Sequence, residues 1–175
     1  MRARPLPAVL VTVTLTTLLG LQAVVGGDLA WASAVPVPSV VVRVPVDGTA
    51  RVLRLFDPPA QRWSRGHRGV DVETGPGGLV LAPADGTVAF VGRVVDRGVV
   101  SIDHAGALRS SLEPVTATVA AGDVVAAGDV IGVVEQGSTH CRGPCVHWGV
   151  RRGGTYVDPL GLLPGAREVR LLPRP

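Results

Sequence analysis

Val119-Ala120-Ala121-Gly122-Asp123-Val124-Val125-Ala126-Ala127-Gly128-Asp129-Val130-Ile131-Gly132 is the stretch whose reading decides the fold. Two Ala-Gly-Asp turns, at 121–123 and 127–129, close off short Val-rich runs at 124–125 and 130–134. Glycine supplies the backbone freedom of a tight turn and aspartate bonds back to its own main chain. β-Branched valine suits a pleated strand better than a helix. The same pattern spreads outward, with apolar runs at 79–81, 86–91, 99–103, 108–112, 115–119 and 145–150 and a further turn at Asp85-Gly86. No segment repeats with a helical period over a dozen residues. The 175 residues carry 46% hydrophobic positions, 23 Gly and 15 Pro. That composition supports a core but argues against a helical bundle, so one all-β domain of short antiparallel strands is expected.

Charge excludes more than it suggests. All 17 basic residues are Arg, because the chain has no Lys. Schiff-base chemistry, a Walker lysine and a lysine-linked biotin or lipoyl group are therefore ruled out. The last exclusion matters because Ala84-Asp85-Gly86-Thr87-Val88 also resembles the turn of biotinyl and lipoyl carriers. The net charge of +3 includes Arg2 and Arg4 at the extreme N-terminus. No segment interleaves Arg with aromatics, so no nucleic-acid partner is expected.

Residues 1–34 have the three parts of a secretory signal peptide. Arg2 and Arg4 precede an uncharged stretch, residues 8–25, and Ala32-Ser33-Ala34 supplies an A-x-A cleavage pattern. Cleavage after Ala34 is expected. The alternative is an uncleaved membrane anchor, which Thr12, Thr14, Thr16, Thr17 and Gln22 weaken. Either way the domain is expected outside the cytoplasm, in the cell envelope or secreted, with a membrane as partner only if the segment is retained. Export also argues against the cytosolic His-using phosphocarriers that share a related β fold. Residues 35–61 read as an extended lead-in with the first strands, and 164–175 as a C-terminal tail.

Two segments carry chemistry. In His140-Cys141-Arg142-Gly143-Pro144-Cys145-Val146-His147-Trp148 the two cysteines are the only ones in the chain. In an oxidising compartment a Cys141–Cys145 disulfide is the first expectation, with a zinc thiolate or free thiols as alternatives. Strand alternation then puts Val146, Trp148 and Val150 on a core face and Cys145, His147 and Gly149 on the other. The second segment is His67-Arg68-Gly69-Val70-Asp71. In a straight strand His67 and Asp71 would stand about 13 Å apart, at about 3.3 Å per residue. They converge only if the chain bends, which Gly69 permits. Read alone, the pair is first an ordinary loop hydrogen bond, with a zinc site, for which imidazole and carboxylate are natural ligands, as the alternative.

In order along the chain, these segments resemble the lysostaphin/LytM-like zinc metallopeptidases that cut peptidoglycan peptides. His67-Arg68-Gly69-Val70-Asp71 is similar to that family's H-x-x-x-D motif, residues 82–88 to its A-x-x-x-G-x-V turn, and Val100-Ser101-Ile102-Asp103-His104 to its V-x-I-D-H strand. The opening stretch, 119–132, matches V-x-x-G-x-x-V-x-x-G-x-x-I-G. Gly143-Pro144-Cys145-Val146-His147-Trp148 stands where the family has G-P-H-L-H-F, and Tyr156-Val157-Asp158-Pro159 is like its closing segment. The resemblance spans residues 62–163. It implies a single antiparallel β-sheet/barrel-sandwich domain of the lysostaphin-like, duplicated hybrid motif type, with one zinc held by His67, Asp71 and His147. His104 falls on a position read as structural.

Two assisting histidines of that family are missing. The first His of H-x-H is Cys145, and the His of its Y-x-H-L segment falls on Pro114, or on Glu113 if the register slips by one. General acid–base help is worth roughly 10²–10⁴ in rate, so substitutes matter. His140, held near the site by a Cys141–Cys145 bridge, and Glu113, as a carboxylate base, are the two proposed. Two functions follow: a zinc endopeptidase acting on peptidoglycan peptides, or a degenerate relative that binds peptidoglycan or regulates another cell-wall hydrolase.

Overall fold

The structure, a computed structural model, describes residues 40–136, 140–141 and 143–166. The expected export segment, the start of the lead-in and residues 167–175 of the expected tail lie outside the described residues. The elements are β1 (Val52–Arg54), β2 (Val70–Glu73), β3 (Leu79–Leu81), β4 (Gly86–Val94), β5 (Arg97–His104), β6 (Leu108–Glu113), β7 (Val115–Ala117), β8 (Val124–Val125), β9 (Val130–Val134), β10 (Cys145–Arg152), β11 (Thr155–Val157) and a 3₁₀ turn (Pro159–Leu162).

The turns of the opening stretch form as their residues dictate. Gly122 and Gly128 both take positive φ, at 97° and 95°. Asp123 and Asp129 each accept the amide three residues back, Ala120 N–H and Ala126 N–H, at 2.8 Å. Between these turns β8 is only two residues long and can pair only with the start of β4. All pairings are antiparallel. The large sheet runs β1-β2-β10-β6-β5-β4-β8, with β11 also on β10, and a three-stranded sheet runs β3-β9-β7. The fold is all-β.

The core takes one face of each strand. Val146, Trp148 and Val150 of β10 are fully or almost fully buried, with Val70 and Val72 of β2, Ile102 of β5, Leu112 of β6 and Ile131 of β9. Each buried Val, Leu or Ile contributes roughly 1.5–3 kcal/mol through the area removed from water. This packing makes β10 a fixed central strand with β2 on one side and β6 on the other. The face it turns away from the core carries His147.

Strands β4 and β5 run further than the apolar patterning predicts, to Val94 and back from Arg97. The extra residues form a ribbon whose tip is exposed, so burial leaves no alternation there. Val94 faces Arg97 across a two-residue loop, Val95-Asp96, and Val95 sits at φ 60°. A β-branched residue is rare in that region. The ribbon delivers Arg97 toward the outer face of β10.

Candidate metal and catalytic site

The expected bend occurs at residues 68–69, between an isolated bridge that pairs His67 with Asp57 and the start of β2. Gly69 serves this bend by close approach and not by an unusual φ. A Cβ there would lie 2.8 Å from both Gly149 Cα and His147 Nε2, and closer still to the Trp148 carbonyl oxygen. Without one, β2 seats directly against β10, where Asp71 pairs with His147 in register. His67 Nε2 and Asp71 Oδ1 come within 3.0 Å instead of the straight-strand distance.

His147 Nδ1 lies 2.8 Å from the same Asp71 oxygen and 3.0 Å from His67 Nε2. His140 Nε2 lies 3.1 Å from that oxygen. One donor atom from each of His67, Asp71, His140 and His147 therefore falls within a 4.8 Å cluster. His67 and Asp71 are each only 4% exposed. The tautomer of His67 is set from outside the cluster, because its Nδ1–H donates to the Leu55 carbonyl at 2.8 Å. Its Nε2 lone pair thus faces inward, as metal ligation requires.

Asp71 is charged at neutral pH. Burial by itself would raise its carboxyl. Hydrogen bonds from His140 and His147, together with the electrostatic pull of the His67 and His147 rings, outweigh that and hold it far below the ordinary carboxylate range. Two imidazoles and one carboxylate fit a borderline cation such as zinc.

Cys141 and Cys145 are joined by a disulfide with Cα atoms 6.2 Å apart. It ties the loop carrying His140 to the first residue of β10. Glu113 falls outside the cluster. It stands opposite His147 on β6, and its carboxylate oxygen lies 3.6 Å from Arg97 Nη1. The same Nη1 donates to His140 Nδ1 at 3.1 Å. Arginine only donates, so His140 Nδ1 accepts and its proton resides on Nε2, the atom turned toward Asp71. Arg97 thus belongs to the site, and sequence reasoning missed it. It follows a turn, Val95-Asp96, and lies in no motif. His104 is held structurally, its Nδ1–H donating to the Asp85 carbonyl and its Nε2 meeting Ser110 Oγ, each at 2.9 Å.

Residues 65–159, more than half of the chain, match the model of peptidase family M23. The Mycobacterium tuberculosis protein Rv2891 is 45% identical over 127 residues, which cover 70% of this chain. The chain spans about half the length of the curated relatives it matches, 51% for that protein. Among solved structures, Helicobacter pylori Csd3 superposes with a TM-score of 0.59 at 29% identity, over 73% of this chain and 36% of Csd3. The structure of the SpoIIQ–SpoIIIAH pore-forming complex superposes at 0.62 over 71% of this chain and 92% of that one; at 23% identity that likeness concerns the fold alone. Given the extent of the match and the identity to these relatives, the chain belongs to peptidase family M23.

Proposed function

We propose that this protein is an exported zinc-dependent endopeptidase that cuts peptide bonds in cell-wall peptidoglycan. The observation that carries the reading is the convergence of His67 Nε2, Asp71 Oδ1 and His147 Nδ1 to within 3.0 Å of one another. Those three side chains would hold the metal. When bound, zinc supplies Lewis-acid polarisation of the scissile carbonyl and brings the pKa of water close to neutrality.

The remaining work falls to the chain. Leu55 O fixes the His67 tautomer, and ionised Asp71 supplies the negative charge of the ligand set. His140 is turned into the site as an Nε2–H donor by Arg97. It takes over as the neutral N–H donor to the developing oxyanion. His140 is assigned to assistance and not to a fourth ligand position because its Nδ1 is engaged by Arg97 on the side away from Asp71. Glu113 acts on the reaction through Arg97. The pattern of residues 1–34 supports export, and an N-terminal sequence beginning at Val35 in the secreted fraction would test it.

The test of activity is digestion of purified peptidoglycan, read as newly released free amines, with metal content measured on the same samples. The expected result is about one zinc per chain and amine release that His67→Ala abolishes. Release no greater than in that variant would overturn the peptidase reading. It would favour a second one, suggested by Cys145 and Pro114 in place of the family's assisting histidines: a non-catalytic domain that binds peptidoglycan or regulates another cell-wall hydrolase. One structure of similar fold comes from a pore-forming complex, which suits such a binding role.

A further inference from the structure

The outer face of β10 continues past His147 through Gly149 to Arg151, where it borders a cleft of about 950 Å³. We propose that this cleft is a carboxylate subsite that takes an acidic side chain of a bound peptide. The identity of the occupant as a peptide rests on the peptidase reading; the anion chemistry does not. Arg62, Arg68 and Arg151 line the cleft together with Trp63 and Tyr156, and no acidic residue does. Among the described residues Arg51, Arg93, Arg97 and Arg109 each have a carboxylate partner; these three have none within ion-pair distance, nor have Arg43, Arg54, Arg65 and Arg152, but only these three gather around one cleft. Three uncompensated guanidinium groups around one concavity repel one another, and an anion placed among them relieves that repulsion.

The three groups are already held in place. Arg68 Nη2 donates to the Arg62 and Ser64 carbonyls at 2.8 and 3.2 Å. Arg151 lies 4.4 Å over the Tyr156 ring and donates to its hydroxyl, and Arg62 lies 4.9 Å from the Trp63 ring. These contacts restrain the guanidinium groups and leave N–H groups to meet a carboxylate in a forked, charge-assisted pair. Trp63 is 86% exposed and lines the cleft, so its ring is open to a bound molecule.

The cleft adjoins the metal-ligand cluster at Gly149. The point where a Cβ would stand on Gly149 lies 3.6 Å from His147 Nε2 and 3.9 Å from Tyr156 Cε1. Four strand positions separate His147 from Arg151, about 13 Å of β10. An extended peptide covers that distance in about four residues. The subsite therefore fits an acidic residue about four positions from the bond to be cut.

The test is calorimetric titration of the full chain, with zinc and without it. The probes are an end-capped pentapeptide of four alanines and a terminal glutamate, and its glutamine counterpart. The glutamate peptide is expected to bind about tenfold more tightly, the effect of one charge-assisted pair. Arg62→Gln and Arg151→Gln should each shrink that preference while leaving the near-ultraviolet circular dichroism unchanged. Equal binding of the two peptides at millimolar concentration would overturn the proposal, as would a preference that survives in the double variant. So would complete displacement of the peptide by inorganic polyphosphate at equal charge, which would mark a general polyanion surface. A glutamate preference in a protein that releases no amines from peptidoglycan would leave the subsite standing and remove the peptidase reading alone.

Discussion

Replacing Gly69 by alanine tests the central geometric claim, that His67, Asp71 and His147 come together as a candidate metal-ligand set because β2 packs without a side chain against β10. The added methyl would stand 2.8 Å from Gly149 Cα and 2.8 Å from His147 Nε2, where 3.4–4 Å is ordinary contact. Two of the three nearest neighbours are backbone of a central, buried strand, so rotamer changes cannot relieve the overlap. Relief requires β2 and β10 to separate by about 1 Å, and forced overpacking of this kind costs roughly 1–3 kcal/mol. The same shift would move Asp71 away from His147, whereas metal sites tolerate deviations of about 0.2 Å in ligand distance. Denaturant unfolding of the metal-free protein should therefore show a loss of 1–3 kcal/mol. Zinc titration should show affinity reduced at least tenfold, the lower range for disturbing a group that positions ligands. If Gly69→Ala kept wild-type stability and zinc affinity together, close approach at this glycine would not be what assembles the site.

Three further outcomes are expected. Val95 occupies the first position of a two-residue hairpin loop at φ 60°, where glycine is preferred, so Val95→Gly should raise unfolding stability by about 1 kcal/mol; a loss of stability in thermal denaturation would count against strain there. Burial lowers the folded-state pKa of His104, although its bond to the Asp85 carbonyl offsets part of this. Its contribution to stability is therefore intact above the ordinary histidine pKa and is lost as pH falls below it, and His104→Gln should flatten that decline by up to about 1.4 kcal/mol per pH unit in metal-free protein. Arg97→Met should release His140 from the Nε2–H form: ¹⁵N shifts of the ring should report one tautomer in the parent and a mixture in the variant, with Arg97→Lys, still a donor, restoring the single form. A mixture already present in the parent would refute the role given to Arg97.

What could be read in the sequence was what local chemistry dictates. Gly122 with Asp123 and Gly128 with Asp129 specify their turns within a few residues, and Val146, Trp148 and Val150 declare a buried face by alternation alone. The extension of β4 and β5 to the loop at Val95-Asp96 could not be read in that way. An exposed ribbon carries no alternation, and backbone pairing between Val94 and Arg97 is indifferent to side-chain polarity. The site divides along the same line. His67, Asp71 and His147 stand in spaced motifs, whereas Leu55 O is a carbonyl with no side-chain signature and Arg97 reaches His140 across 43 positions. Glu113 carries a charge at a plausible position, but only the placement of Arg97 reveals that its carboxylate faces that guanidinium and not the metal ligands.

The two departures from the family pattern are physically linked. A histidine at position 145 would share the outer face of β10 with His147, because side chains two apart on a strand point the same way. The cysteine there removes a donor from the strand, yet it also bonds to Cys141 and so draws the loop back over the same face. That loop places His140 Nε2 3.1 Å from Asp71. At the second position proline contributes no donor, but its neighbour Glu113 lies beside Arg97, and Arg97 holds the ring of His140. On the proposed reading, the loop resupplies the donor lost from the strand, and the charge beside Pro114 orients that replacement through Arg97. Restoring a histidine at position 145 alone would break the disulfide and remove one tie on the loop that carries His140. Recovery of the family's arrangement in this chain would therefore require changes at 113–114, 140 and 145 together.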